Sequence, residues 1–347
     1  MRGRDWRRET PPATPKPVPE SPAEPSRAGT CGDLRVVGTG GGSFPAGMSD
    51  EDARGRGADG AVTLLTRGSA LALRQADESA RVLAAGFGGT GRVARKIVET
   101  TGDRQQAWVL EKTGGKGLFT GELERELLAG GGDIAVHSAK DLPTDCATGL
   151  ALAGFLRRAN PADVLVRRRD TPSPARIATG SPRRRAQAAA FFPNAVFCEL
   201  RGNVETRLAK IADGRAGADA TFLAAAGLAR LGISSWDGLV FEEWGVGRMV
   251  PAAGQGAIAW QTRAADAARF GVFCDAATTL AARVERAFLA AFGEGCHSAF
   301  AAHWRDGRLW LFHEKFGRRE LNFPATGGEE DAVLGERARG VVREIGV

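Results

Sequence analysis

The stretch from Gly114 to Pro143, GGKGLFTGELERELLAGGGDIAVHSAKDLP, constrains the fold more than any other part of the chain. Leu123, Leu127 and Leu128 fall on one apolar face of a helix that Thr120 can cap, while Glu122, Glu124, Arg125 and Glu126 mostly take the other. Gly130 to Gly132 stop that helix, and Ile134, Ala135 and Val136 then read as a buried strand. The strand delivers His137, Ser138, Lys140 and Asp141 to its C-terminal end, where open α/β sheets bind ligands. Asp141 beside Lys140 reads in two ways: an ordinary ion pair, or a carboxylate that stabilises developing positive charge or moves protons. His137 alone reads as structural. Lys112 and Lys116 flank a glycine pair, but no Ser or Thr follows Lys116 and no strand closely precedes it. A glycine loop that places lysines over a ligand fits better than a nucleotide-binding P-loop.

On both sides of this unit strand and helix patterns alternate. AVTLL leads to a helix near Ser69, RKIVET is a second strand, and LALAGFL and DVLVRR are further strands. RIAT runs to a helix with Ser181 as N-cap and Pro182 at its first position. AVFCEL precedes a helix near Asn203 that Gly214 can end, and ATFLAAAGL and QGAIAWQ close the series. Such alternation predicts parallel, doubly wound sheets. After about Ala276 a helix and then alternating strands (SAFAAHW, RLWLFHE, ELNFP), with a last helix from about Glu329, predict a separate small α+β domain. Residues 1–60 lack hydrophobic periodicity and read as a disordered extension, with Met48 as an alternative start. The GTGGGS run at Gly38–Ser43 is rejected as a nucleotide loop because no strand leads into it.

Charge narrows the ligand. The net charge is +6, and residues 1–60 hold nine basic and nine acidic side chains, so the excess lies in the folded part. That favours an anionic ligand and leaves nucleic acid open on charge alone. Three segments repeat one device, a strand, then basic and hydroxyl or amide side chains, then a helix start: Thr66–Ser69, Thr179–Arg185 and Arg201–Val204. Helix N-termini carry partial positive charge, and arginine adds bidentate recognition of carboxylate or phosphate. Each arginine alone could serve a surface salt bridge; three such segments point to a ligand with many anionic groups. Arg183–Arg185 lacks the interleaved aromatics of a nucleic-acid groove. The five cysteines are odd in number and irregularly spaced, which fits a reducing compartment. Cys296, between glycine and polar residues on a predicted loop, could be a reactive thiolate or inert. His297 and His303 lack the accompanying motifs of a zinc site, so no metal is expected.

The chain resembles the porphobilinogen deaminase (hydroxymethylbilane synthase) family from about Val62 to its C-terminus. The motifs are TRGSALALRQA (66–76), GGKGLF with the following helix (114–128), DIAVHSAKDLP (133–143), TGSPRRRAQ (179–187), LRGNVETRL (200–208), AAAGLARLG (224–232), PAAGQGAIA (251–259) and EGC (294–296). The resemblance implies two periplasmic-binding-protein-like doubly wound lobes and a small α+β C-terminal domain. Its boundaries would be residues 61–157 plus about 256–274, then 158–250, then 276–347. It implies a cytoplasmic, monomeric transferase in tetrapyrrole biosynthesis that condenses four porphobilinogen molecules head to tail with loss of ammonia. The condensation would proceed on a dipyrromethane cofactor held by Cys296, and water would release hydroxymethylbilane. No nucleic acid, membrane or metal enters.

Residue by residue, the resemblance makes Asp141 catalytic, holding pyrrole N–H groups and stabilising the cation formed as ammonia leaves. Lys140, Ser138, Thr179, Ser181, Arg183, Arg184 and Arg207 would bind the cofactor. Arg67, Ser69, Gln75, Arg201, Arg230, Lys116 and Phe119 would meet substrate, and Lys112 would lie near them. Gln255 and Gly256 fall in the crossover back to the first lobe. Two departures stand out: Gly180-Ser181-Pro182 where the family has Ser-Ser-Leu, and His297-Ser298-Ala299 after the cysteine where it has Gln-x-Pro.

Overall fold

The computed structural model describes residues 32–34, 61–88, 92–100, 120–293 and 299–346. Strands β1 (Gly32–Leu34), β2 (Val62–Thr66), β3 (Val93–Ile97), β4 (Ile134–Ser138), β5 (Leu150–Phe155) and β11 (Ile258–Arg263) form a six-stranded sheet in the order β1-β3-β2-β4-β11-β5. Strands β6 (Asp163–Arg168), β7 (Arg176–Ala178), β8 (Val196–Cys198), β9 (Ala220–Ala224) and β10 (Leu239–Trp244) form a second sheet, β10-β6-β9-β7-β8. A three-stranded antiparallel sheet holds β12 (Ala301–Arg305), β13 (Arg308–His313) and β14 (Gly317–Asn322).

Both large sheets are covered on both faces, which is why their strands carry continuous hydrophobic runs. On β2, Leu64 and Leu65 point opposite ways. Leu64 joins Leu83 of helix α1 (Ala70–Gly86), Ile134, Trp260 and Phe270 of α6 (Ala267–Gly271). Leu65 joins Leu123 and Leu127 of α2 (Gly121–Leu128), with Ala135 and Leu150. In the second lobe, Leu165 packs with Phe222, Trp244 and Ala188 of α3 (Pro182–Ala189). Its neighbours Val164 and Val166 pack with Leu208 and Ile211 of α4 (Val204–Ala212) and Leu228 of α5 (Ala225–Arg230). Helices α7 (Ala276–Ala291) and α8 (Asp331–Ile345) cover one face of the small sheet through Val284, Phe288, Leu334 and Val342.

The doubly wound expectation holds, with one correction: neither large sheet is wholly parallel. β3-β2-β4 and β8-β7-β9 are parallel, but β11 runs antiparallel between β4 and β5, and β6 runs antiparallel to β9 and β10. The reason is connectivity. The chain enters β6 from the first lobe and enters β11 from the second, so neither strand is reached through a βαβ crossover. β1 lies within the stretch expected to have no regular structure and pairs antiparallel with β3; the rest of residues 1–60 lies outside the described residues. Among the described residues no helix is long and apolar enough to cross a membrane.

Two segments cross between the lobes, 156–162 and 245–257. They are bonded to each other. Ala159 N–H donates to Gly256 O at 3.1 Å, and Gln255 Nε2 donates to Pro161 O at 2.7 Å. Gly256 has φ +87°, and a Cβ there would lie 2.5 Å from Ala159 O, so only glycine permits this approach. Glu285 of α7 holds the small domain to the crossings. Its carboxylate accepts from Arg158 Nη1 and Nη2 at 2.7 and 2.9 Å, from Gly254 N–H at 2.7 Å and from Trp304 N–H at 2.9 Å. Burial by itself would raise the Glu285 pKa, but the Arg158 guanidinium and the His303 ring overturn that and hold it down at about 2.

Removing the carboxylate would strand the buried Arg158 charge, so Glu285→Ala is expected to cost about 3–5 kcal/mol in chemical unfolding. Because the folded pKa is depressed, Glu285 contributes stability that is present above its ordinary value near 4.5 and lost as pH falls toward 2. Unfolding free energies measured from pH 7 to 2 should fall less steeply below pH 4.5 in Glu285→Gln than in the unsubstituted chain.

Candidate active site

β4 ends at Ser138 and a single 3-10 turn, Ala139–Asp141, carries Lys140 and Asp141 past the sheet edge. The turn is pressed against the returning crossing. Ala139 N–H donates to Ala257 O at 3.1 Å, and a Cβ on Gly254 would lie 2.9 Å from the Ala139 Cβ. The edge expected from sequence therefore exists, with Asp141 exposed and Lys140 half-buried.

A cavity of about 80 Å³ opens beside the turn, lined by Arg67, Ser69, Leu71, Ala72, Gln75, Thr120, Val136, His137, Ser138 and Asp141. Ser69 caps α1, accepting from Ala72 N–H at 3.3 Å, so the first turn of α1 opens onto the cavity. Gln75 is buried and donates from Nε2 to Ser138 Oγ at 2.9 Å, fixing one wall. His137 Nε2 lies 3.1 Å from Gln261 Oε1. Burial pushes the His137 pKa down to about 4, with Gln261 raising it and Arg67 lowering it, so the ring is neutral at pH 7. That fits the structural reading of His137. Thr120 corrects an expectation. It sits at the N-cap of α2, but its backbone is helical (φ −115°, ψ −31°) and its hydroxyl makes no capping bond.

The remaining candidate residues lie in the second lobe. Ser181 caps α3, accepting from Arg184 N–H at 3.4 Å with Pro182 behind it, as its sequence predicts. Thr179 Oγ1 accepts from Ser181 N–H at 3.2 Å. Arg183 and Arg184 are buried and turned inward. Arg183 Nη1 donates to Asp163 Oδ2 at 2.8 Å and to Val250 O at 2.7 Å. Arg184 donates from Nε to Asp163 Oδ1 at 2.9 Å and from Nη1 to Phe222 O at 2.7 Å. Burial would raise the Asp163 pKa; the two guanidiniums reverse this and hold it well below the usual carboxylate range. One carboxylate between two arginines leaves one positive charge over. Arg207, on α4, donates from Nε to Gly202 O at 2.8 Å. Burial lowers its pKa, as does Arg184, while Asp141 raises it.

The structure thus brings Lys140, Arg184 and Arg207 within electrostatic reach of Asp141. Burial pushes the Lys140 ammonium down to about 8 against the pull of Asp141, with Arg184 adding to the push. Arg230 takes another partner: its Nε donates to Glu78 Oε2 at 3.0 Å and its Nη2 to Gly256 O at 3.1 Å, tying α5 to α1 across the cleft. Arg201 is exposed just before α4. Lys112, Lys116, Phe119, Cys296, His297 and Ser298 lie outside the described residues. Sequence reasoning missed Asp163 and Glu78, and read Thr120 only as a helix cap. A carboxylate heading the otherwise apolar strand DVLV was the available signal for Asp163; Glu78 sits on a helix face like any surface acid.

Fold and site together define a two-lobed α/β protein with a cationic cleft around one exposed carboxylate. Residues 62–269 match the family model described as porphobilinogen deaminase, dipyromethane cofactor binding domain. The chain is 43% identical over 274 residues to a porphobilinogen deaminase of Sphingopyxis alaskensis, covering 74% of this chain and 85% of that one. It is 42% identical over 254 residues to one of Nitrobacter winogradskyi (70% and 78%), and 37% identical over 288 residues to one of Lachnospira eligens (79% and 96%). Among solved structures, the Bordetella pertussis BvgS periplasmic VFT2 domain is 15% identical with a TM-score of 0.37, over 61% of this chain and 84% of that one. The chain belongs to the porphobilinogen deaminase family.

An ammonium that titrates near pH 8 gives the cleft a testable signature. Affinity for an anionic substrate should fall roughly tenfold between pH 7 and 9.5 as Lys140 deprotonates. Lys140→Arg, which stays charged, should shift that loss to higher pH. A flat KM profile in the unsubstituted chain would show that the Lys140 charge does not act on substrate binding.

Proposed function

We propose that this chain condenses four porphobilinogen molecules, with loss of ammonia, into hydroxymethylbilane. The observation that carries the reading is Asp141. It is an exposed carboxylate at the end of β4, facing Lys140, Arg184 and Arg207, in a chain whose family model is a dipyromethane-binding domain.

The residues present suit a dipyrromethane. Each pyrrole ring carries an acetate and a propionate, so two rings bring four carboxylates. The cleft answers with a surplus of positive charge and with the first turn of α3. In this reading Lys140, Ser138, Thr179, Ser181, Arg184 and Arg207 hold the cofactor carboxylates, and Cys296 anchors it covalently. Arg183 contributes by fixing Asp163, which orients Arg184. When bound, the cofactor supplies a pyrrole carbon as nucleophile. Arg67, Ser69 and Gln75 line the cavity that receives the substrate, with Arg201, Arg230, Lys116 and Phe119 assigned to it by family resemblance.

Chemistry then falls to Asp141. As the aminomethyl C–N bond breaks, its electron pair leaves with the nitrogen and positive charge spreads over the pyrrole. A carboxylate that accepts the pyrrole N–H bonds stabilises that charge. We assign residues 61–157 plus about 256–274 to the first domain, 158–250 to the second and 276–347 to the third. We further take the protein to be a cytoplasmic monomer.

Intact mass spectrometry is the direct test. The purified protein should exceed its sequence mass by one dipyrromethane and gain further pyrrole units with porphobilinogen; Cys296→Ser should remain at sequence mass. A protein at bare mass that stays inactive after incubation with porphobilinogen would refute the reading. Asp141→Ala should load cofactor, keep its melting temperature and lose about a hundredfold or more in kcat.

A further inference from the structure

Among the described side chains of the cleft, Thr120 stands out. It is 2% exposed, lines the cavity, and its Oγ1 has no hydrogen-bond partner among the described residues. A buried hydroxyl without a partner is costly and uncommon in folded proteins. The ordinary explanation fails here. Thr120 occupies an N-cap position, where threonine oxygens accept from the helix start, yet its helical backbone keeps the hydroxyl out of that bond. The other polar groups of the same wall are engaged: Ser69 with Ala72 N–H, Gln75 with Ser138, and His137 with Gln261.

The neighbours say what the hydroxyl is kept for. Arg67 and the capped first turn of α1 make one side of the cavity electropositive, and the neutral His137 adds no charge. A carboxylate drawn to that side needs several short donors around its four lone-pair sites, and a threonine O–H is one. We propose that Thr120 is a substrate-positioning residue, its hydroxyl donating to a side-chain carboxylate of the incoming porphobilinogen opposite Arg67 and Ser69. This rests on the function proposed above and adds a residue to its substrate site.

The proposal makes stability and binding move in opposite directions. Thr120→Val replaces an unpaired buried hydroxyl with a methyl of nearly the same shape. The ligand-free protein should therefore hold its melting temperature or gain about 2–4 °C. The same variant should raise KM for porphobilinogen about ten- to a hundredfold, the loss expected for a hydrogen bond to a charged group, with kcat within about twofold. Thr120→Ser, which keeps the hydroxyl, should restore KM to within about threefold of the unsubstituted enzyme. An unchanged KM in Thr120→Val overturns the proposal. So does a melting temperature lowered by several degrees, which would mean the hydroxyl serves the fold, and so does a fall in kcat at constant KM. Failure of the underlying function is visible separately, in the unsubstituted chain, as absent turnover of porphobilinogen and absent dipyrromethane mass.

Discussion

One buried carboxylate organises the cleft. Asp163 stands at the head of β6, where the chain first enters the second lobe, and receives both Arg183 and Arg184 from the start of α3. Arg183 passes the connection on to Val250 O and Gln255 Oε1 in the returning crossing. A single anion thus couples the outgoing segment, the return segment and the helix capped by Ser181. Its burial is affordable only because two guanidiniums and a set of backbone acceptors satisfy every partner; a lone carboxylate there would protonate instead. The arrangement also sets the sign of the cleft, since two arginines against one aspartate leave one positive charge over.

Glu285 repeats the device at the third sheet. It too is wholly buried, and it accepts from an arginine of the first crossing, from Gly254 N–H of the second and from Trp304 N–H of the small sheet. The crossings are therefore gripped from two sides, by Asp163 through α3 and by Glu285 through α7. Gly254 and Gly256, both with positive φ, lie at these contacts, where the return segment bends against its neighbours.

Much of this was legible in sequence, and the physical reason is range. β4, its polar tip and the glycine stop after α2 are local patterns, and so is Ser181-Pro182 as a helix start. What escaped depends on distant partners. Asp163 meets its arginines 20 and 21 residues on, and Glu285 meets Arg158 127 residues back. β10 escaped because Glu242 and Glu243 interrupt its apolar run on an edge strand with one partner. Thr120 was misread because residue type predicts a cap while the actual dihedral forbids it. The inward hydrogen bonds of Arg183 and Arg184 to Asp163, Val250 O and Phe222 O were likewise invisible in local spacing.

The place of β11 between β4 and β5 bears on how the protein is made. Those two strands emerge from the ribosome early but cannot pair with each other; the strand that joins them follows about 100 residues later, after the whole second lobe. At about 5–20 residues per second, both edges stay unsatisfied for several seconds. The second lobe, continuous from β6 to β10, can close first, and the first lobe is completed only when the chain returns to it. Newly synthesised chains therefore pass through a state with two open apolar strand edges, which is where chaperones would engage them and where crowding would do most harm.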